Sequence, residues 1–204
     1  MNTAVDKSSF WDEIYNNGKI GWDLKSPNPV FVDLLTKKEI IIPGKILISG
    51  CGKGYDAVAA YKIGYEVSAV DFSAPAIDFA IRMAQKENAS INFIKEDIFM
   101  FDGNLNNNFD YVYDYATYCA INPARREEYA KKIAGLLNPG GKLIALWFPV
   151  EDREGGPPFG IDLIDTYKIF SKYLSLELSS RKINSIKPRK GREVLQVYVK
   201  GLKD

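Results

Sequence analysis

Three glycines at alternate positions, in Gly50-Cys51-Gly52-Lys53-Gly54, follow the apolar run Ile46-Leu47-Ile48-Ser49. Asp71 ends the next apolar run, Val67-Ser68-Ala69-Val70, 21 positions after Gly50. A glycine-rich turn between a strand and a helix lets backbone N–H groups approach a ligand, and an acid at the tip of the neighbouring strand accepts hydrogen bonds from two ribose hydroxyls. The pairing implies a ligand that carries a ribose. Dinucleotide sites use Gly-x-Gly-x-x-Gly around a pyrophosphate, whereas Tyr55 stands here where that third glycine belongs. Lys53 is followed by Gly54, not Ser or Thr, which argues against a P-loop. A compact Gly-x-Gly-x-Gly turn suits S-adenosyl-L-methionine, which has adenine, ribose and an amino acid but no phosphate. The plainer alternative is a strand-to-helix turn whose glycines serve backbone angles alone.

The chain contains no histidine. That excludes Ser-His-Asp and Cys-His pairs and removes the commonest base near neutral pH. Catalysis must rest on positioning, electrostatics or a nucleophile already ionised, and no general base is expected. Cys51 and Cys119 lack Cys-x-x-Cys spacing, so neither a metal site nor a disulfide framework is expected. With 27 basic and 26 acidic residues the net charge is +1, which gives no global steering toward nucleic acid or an anionic membrane. The expected partner is a small molecule. Met1 to Glu13 holds Asp6, Asp12 and Glu13 and no apolar stretch of signal-peptide length, and Leu143 to Val150 is too short to span a bilayer. A cytoplasmic protein is expected; the oligomeric state is left open.

Elements must position these residues. Apolar runs alternate with helical patterns, the mark of an α/β fold on a parallel sheet. Strands are predicted at Ile46 to Ser49, Glu66 to Val70, Ile91 to Lys95, Tyr111 to Asp114, Lys142 to Phe148, Leu174 to Arg181 and Glu193 to Lys200. Helices are predicted at Gly54 to Ile63, Ala74 to Glu87, Pro123 to Leu137 and Ile161 to Phe170, with Ser73 and Asn122 as caps and Asn138-Pro139-Gly140-Gly141 as the stop of the third. Ser8 to Asn17 and Asn28 to Lys38 read as helices of an N-terminal lid. The 204 residues therefore divide into a lid, residues 1–40, and a core, residues 41–204, of one domain. The irregular stretch Pro149 to Gly160 is either a loop lining the site or a surface connection stiffened by proline. Arg181, Lys182, Lys187, Arg189, Lys190 and Arg192 crowd the last connection; without interleaved aromatics they read as a solvated turn.

The chain resembles the thiopurine S-methyltransferase family of class I methyltransferases, and especially its plant-type halide/thiol methyltransferase branch. The resemblance rests on Phe10-Trp11-Asp12-Glu13, Gly21-Trp22-Asp23, Ser49 to Asp56, Asp110-Tyr111-Val112-Tyr113-Asp114-Tyr115, Cys119-Ala120-Ile121, the Asn138 to Gly141 turn and Gly155-Gly156-Pro157-Pro158-Phe159, which together cover nearly the whole chain. It implies a Rossmann-like fold, a seven-stranded mostly parallel sheet with helices on both faces, and S-adenosyl-L-methionine as cofactor. It puts Trp11, Tyr15 and Trp22 over the cofactor, Gly50 beside its methionine portion, Asp71 on the ribose, Asp97 and Ile98 around adenine, and Tyr115 on the sulfonium side, with Cys51, Gly52, Gly54 and Phe72 also among the cofactor-binding residues. The thiopurine-using branch has an arginine where Tyr115 follows Asp114, and a histidine often precedes the Gly-Pro-Pro loop where Arg153-Glu154 stand here.

The implied reaction is in-line transfer of a methyl group to a small soft nucleophile, a thiol, bisulfide, thiocyanate or halide, with Tyr115, Tyr118, Phe148 and Phe159 as acceptor-pocket candidates. Core packing is the competing role for these aromatics, and for Trp11 and Trp22. Asp97 has a competing role as a helix cap. The rival functions are methylation of a thiopurine or other small molecule, a nicotinamide-dependent oxidoreductase, and a noncatalytic cofactor-binding module.

Overall fold

A computed structural model describes residues 4–18, 20–101 and 106–202. Positions 1–3, 19, 102–105 and 203–204 lie outside the described residues, so the two ends of the expected 1–204 domain and Lys19 within its lid do as well. The seven strands form one mostly parallel sheet of order β3-β2-β1-β4-β5-β7-β6. Along the chain they are β1 (Lys45–Ser49), β2 (Glu66–Asp71), β3 (Asn92–Lys95), β4 (Phe109–Tyr115), β5 (Leu137–Trp147), β6 (Ser175–Ser180) and β7 (Val194–Val199). The helices are α1 (Ser8–Asn17), α2 (Pro29–Lys37), α3 (Tyr55–Lys62), α4 (Ala74–Lys86), α5 (Arg126–Leu136) and α6 (Leu163–Phe170). The chain divides into two compact units, Met1–Met100 and Phe101–Asp204.

In the first unit β1, β2 and β3 pair in parallel. Ile46, Leu47, Ile48 and Ser49 of β1 are all buried. Successive residues of a strand point to opposite faces, so burial without alternation means that both faces of this strand are covered. The start of α4 differs from expectation. Ser73 makes no capping bond with its own side chain; Asp12 of α1 does the work, accepting from the Ser73 hydroxyl at 2.8 Å and the Ala74 N–H at 3.1 Å. A carboxylate at a helix N-terminus satisfies an orphan N–H and opposes the helix dipole, and here it also ties α1 to α4. Asp56 plays a parallel part, accepting the Asn28 N–H at 2.7 Å while the Asn28 side chain caps α2 through the Val30 N–H.

In the second unit β4 and β5 run parallel, and β5, β7 and β6 are antiparallel. The Asn138 to Gly141 segment does more than stop a helix: it is already strand, since β5 starts at Leu137 and pairs with Phe109 across a register shift. Gly140, at φ 76, donates to the Lys200 carbonyl and so extends the β5–β7 ladder through the bulge. The core holds Trp147, Tyr118, Phe170 and Tyr198, with neighbouring ring centroids 4.8 to 5.5 Å apart. Gln196 lies among them and accepts both the Trp147 indole N–H and the Tyr198 hydroxyl at 2.7 Å. That satisfies buried donors which would otherwise cost about 1–3 kcal/mol each. No described helix is long and apolar enough to cross a membrane.

Candidate functional site

In the first unit the β1–β2 register, Ser49 opposite Val70, sets the glycine turn beside Asp71. The Cys51 N–H donates to the Val70 carbonyl at 2.8 Å, and the Asp71 carboxylate accepts the Gly52 N–H at 2.9 Å and the Ser73 N–H at 3.0 Å. Loss of hydration, with the Asp12 charge adding to it, pushes the Asp71 carboxyl up to about 6 against the backbone N–H bonds of Ser73, Gly52 and Phe72. Gly52 and Gly54 both require glycine, at φ 51 and 80. A side chain at Gly52 would put its Cβ 2.9 Å from the Tyr15 hydroxyl. At Gly54 the Cβ would meet that of Ala80 at 2.9 Å, so Gly54 provides the close helix approach for which the dinucleotide motif uses its later glycine.

The aromatic residues that precede the sheet gather at this turn. Trp22 lies edge-on to Trp11 at 5.6 Å and to Tyr15 at 6.1 Å. Trp11 is 8% exposed, and its indole donates to the Val5 carbonyl. Burial and the Asp71 charge push the Tyr15 hydroxyl well above its ordinary range, so it stays a neutral donor. Lys53 ties the turn to Asp23 at 2.6 Å, beside Trp22 in sequence, and lies over the Phe79 ring. Asp97 accepts the Phe99 N–H at 3.0 Å, as the cap of a short 3-10 helix, Ile98–Met100, in which Ile98 is buried. Its capping role is therefore present. Phe72 is half-buried between Asp71 and Ser73.

In the second unit Tyr115 ends β4 and Ala116 follows at φ 65, a conformation that costs a non-glycine residue about 1–3 kcal/mol and clusters at functional sites. Asp114 holds this turn, accepting the Thr117 N–H at 3.2 Å, the Tyr118 N–H at 3.3 Å and the Tyr129 hydroxyl at 2.7 Å. Burial raises the Asp114 carboxyl to about 6. Phe148 directly follows β5 and is half-buried. Phe159 is half-buried in the Pro149 to Gly160 loop, which is tied down by Phe159 N–H to Cys119 carbonyl at 2.7 Å and by Arg126 to the Gly160 carbonyl at 3.0 Å. Tyr118 is 1% exposed in the core aromatic cluster, the surroundings of a packing residue.

The last connection departs most from the sequence reading. Lys187, Lys190, Arg181 and Lys182 are exposed, as a solvated turn requires, but Arg189 is 5% exposed. Its guanidinium lies over the Phe148 ring at 4.7 Å and the Tyr115 ring at 5.1 Å. Glu193, 2% exposed, accepts the Tyr115 hydroxyl at 3.1 Å and the Ser185 hydroxyl at 2.5 Å, with Arg189 at 4.0 Å. Arg192 makes a bidentate pair with Glu151 at 2.6 Å. Sheet register explains the assembly: Tyr115 pairs with Leu146 and Val194 with Trp147, which brings Glu193, Phe148 and Tyr115 to one strand-end cluster. The only sequence signal was an acid four residues after Arg189, too common a spacing to single out. Cys51 and Cys119 are free thiols, each raised by burial and so kept protonated. No group of residues that could hold a metal occurs among the described residues.

A mostly parallel sheet with a glycine turn after β1 and an acid at the end of β2 defines the Rossmann-like class I methyltransferase fold. Solved structures agree: one from work on conversion of a disulfide bond into a thioacetal group during echinomycin biosynthesis aligns at TM-score 0.79 and 20% identity, covering 97% of this chain and 94% of that one. A Burkholderia thailandensis 1,6-didemethyltoxoflavin-N1-methyltransferase aligns at TM-score 0.75 and 21% identity, covering 98% and 88%. The chain belongs to the thiopurine S-methyltransferase family, whose profile matches residues 6–199. It is 34% identical to "Probable thiol methyltransferase 2" of Arabidopsis thaliana, over 94% of this chain and 85% of that one. It is 33% identical to thiocyanate methyltransferase 1 of Brassica oleracea, over 91% and 82%, and 28% identical to "Probable thiopurine S-methyltransferase" of Yarrowia lipolytica, over 84% and 88%.

Proposed function

We propose that the chain is an S-adenosyl-L-methionine-dependent methyltransferase acting on a small soft nucleophile: a thiol, bisulfide, thiocyanate or halide. The observation that carries the acceptor reading is the buried Arg189 guanidinium over the Tyr115 and Phe148 rings, a cationic and polarisable surface at a strand end. Soft anions suit it. Higher identity to relatives named for thiol and thiocyanate than to one named for thiopurine supports the same choice. A thiopurine remains the second reading, since that name belongs to the family as a whole.

The first unit fits the cofactor. The Asp71 oxygens accept the Gly52 and Ser73 backbone N–H groups, and the carboxylate keeps acceptor capacity for a ribose hydroxyl. The turn at Gly50, Cys51, Gly52 and Gly54 allows a close backbone approach, and Trp11, Tyr15 and Trp22 offer aromatic faces to a cation, each contributing about 0.5–2 kcal/mol. Phe72, Asp97 and Ile98 are assigned to the ribose and adenine, and α1 and α2 to the lid. When bound, the cofactor supplies an electrophilic methyl group on a positively charged sulfur. Tyr115, Phe148, Phe159 and Arg189 hold the acceptor and exclude water from it, and positioning with desolvation supplies most of the rate. The reading places the protein in the cytosol, in keeping with two free thiols.

An acceptor panel of iodide, thiocyanate, bisulfide, thiophenol and a thiopurine, read by S-adenosyl-L-homocysteine formed, tests the proposal. Small anions and thiols are expected to lead. A thiopurine outcompeting all of them overturns the acceptor class, and binding without product from any acceptor makes the chain a noncatalytic module.

A further inference from the structure

Thiocyanate and iodide reach an enzyme as anions, whereas an alkyl thiol, with a pKa of about 8.5 or above, arrives mostly protonated at pH 7. A chain without histidine needs another destination for that proton. Buried Glu193 is placed to take it. Its Oε1 accepts the Tyr115 hydroxyl at 3.1 Å and its Oε2 the Ser185 hydroxyl at 2.5 Å. The charged and titratable groups that face it among the described residues are Tyr115 from β4 and Arg189 from the last connection. Arg192, the preceding residue in sequence, pairs with Glu151 and lies over the Phe148 ring at 5.1 Å. Burial raises the carboxyl, while the Ser185 bond and the Arg189 charge hold it down.

We propose that Tyr115 and Glu193 form a proton relay that ionises a neutral thiol acceptor, with Ser185 as its outlet; this rests on the acceptor reading above. The thiol S–H bond breaks as its proton bonds to the Tyr115 oxygen, and the proton that Tyr115 carried passes to Glu193 Oε1. The sulfur keeps the electron pair and becomes the nucleophile. Protonated Glu193 no longer neutralises Arg189, so the guanidinium charge over Tyr115 and Phe148 turns to the new thiolate. The proton leaves Glu193 by way of Ser185, which is half-buried. No redox partner is needed, and an acceptor that is already ionised bypasses every step.

The test compares kcat/KM for 2-mercaptoethanol and for thiocyanate in wild type, Glu193→Gln and Tyr115→Phe. Gln keeps an acceptor for Tyr115 but takes no proton, and Phe keeps the ring under Arg189. The thiol-to-thiocyanate ratio is expected to fall about 100-fold in each variant, the lower end of what a positioned acid or base contributes. Wild-type profiles for thiols of different pKa should share one inflection that both variants lose. If the thiol-to-thiocyanate ratio stays at the wild-type value in Glu193→Gln and Tyr115→Phe, whatever the absolute rates, the relay is wrong and the cluster is structural. A wild type that methylates no acceptor overturns the functional reading and the relay with it. A second measurement needs no turnover: infrared titration of the unliganded protein, using the carboxyl band missing from Glu193→Gln, should find Glu193 ionised at pH 7, and a carboxyl protonated there cannot accept a proton and ends the proposal.

Discussion

The Asp71 site of the first unit and the Glu193 cluster of the second hold their acids in different ways. In the first, Asp71 accepts backbone N–H groups of Gly52 and Ser73, Asp97 that of Phe99, and Asp56 that of Asn28. In the second, Glu193 is held by the Tyr115 and Ser185 side chains with Arg189 alongside, and Glu151 by Arg192. A backbone donor is present whatever residue carries it, so the first arrangement tolerates sequence change around a fixed acid and suits a ligand that stays the same. A side-chain donor vanishes with one substitution, so the second can be retuned position by position. That is the property expected of an acceptor site in a family whose members are named for thiol, thiocyanate and thiopurine.

The contrast can be broken at Arg189. Arg189→Ala leaves Glu193 buried without its cation, and losing one partner of a buried pair costs about 3 kcal/mol or more. A urea midpoint within error of wild type would show that the cluster is not an electrostatic unit. Asp71→Ala should leave acceptor ranking intact and weaken S-adenosyl-L-methionine binding by about 1.5–3 kcal/mol, the loss of charge-assisted hydrogen bonds. Unchanged affinity by calorimetry in a folded variant would remove the ribose assignment.

A smaller effect follows from pH. Asp71 sits at about 6, above the ordinary carboxylate value of about 4, so the unliganded fold binds its proton before the unfolded chain does. Ribose hydroxyls donate to the ionised form, so cofactor affinity should fall about tenfold between pH 7.5 and pH 5, near 1.4 kcal/mol. The raised carboxyls of Asp56, Asp71 and Asp114 carry the opposite sign for folding: their contribution is full below about pH 4 and is lost as pH rises through about 6. Calorimetric titrations and chemical denaturation across that range check both signs. The smallest change is Asp12→Ala. It removes the cap on α4 and the tie to α1, at about 1 kcal/mol or roughly 2–4 °C in Tm, with a few-fold loss of cofactor affinity as neighbouring Trp11 loosens. A lower Tm with full affinity would separate the cap from the lid.

What the sequence by itself determined is the part of the protein that depends on neighbours along the chain. All seven strands and six helices stand within a few residues of their predicted places, except that β5 starts at Leu137, five positions before the expected Lys142. The glycine turn and Asp71 were legible because a strand, a turn and the next strand recur at fixed spacing, and because backbone donors need no particular side chain. Tertiary structure decided which acid caps α4, since Asp12 and Ser73 are 61 residues apart. It decided that Gly54 serves close packing against Ala80, and that Tyr118 belongs to the core cluster. It also decided the fate of the basic stretch: one set of charges stays in water, while Arg189 turns inward, because the antiparallel register of β7 on β5 brings the end of that connection to Phe148 and Tyr115. Local pattern specifies where a chain turns, but a buried charge is stable only beside partners that arrive from other strands, and those partners exist only once the sheet has closed.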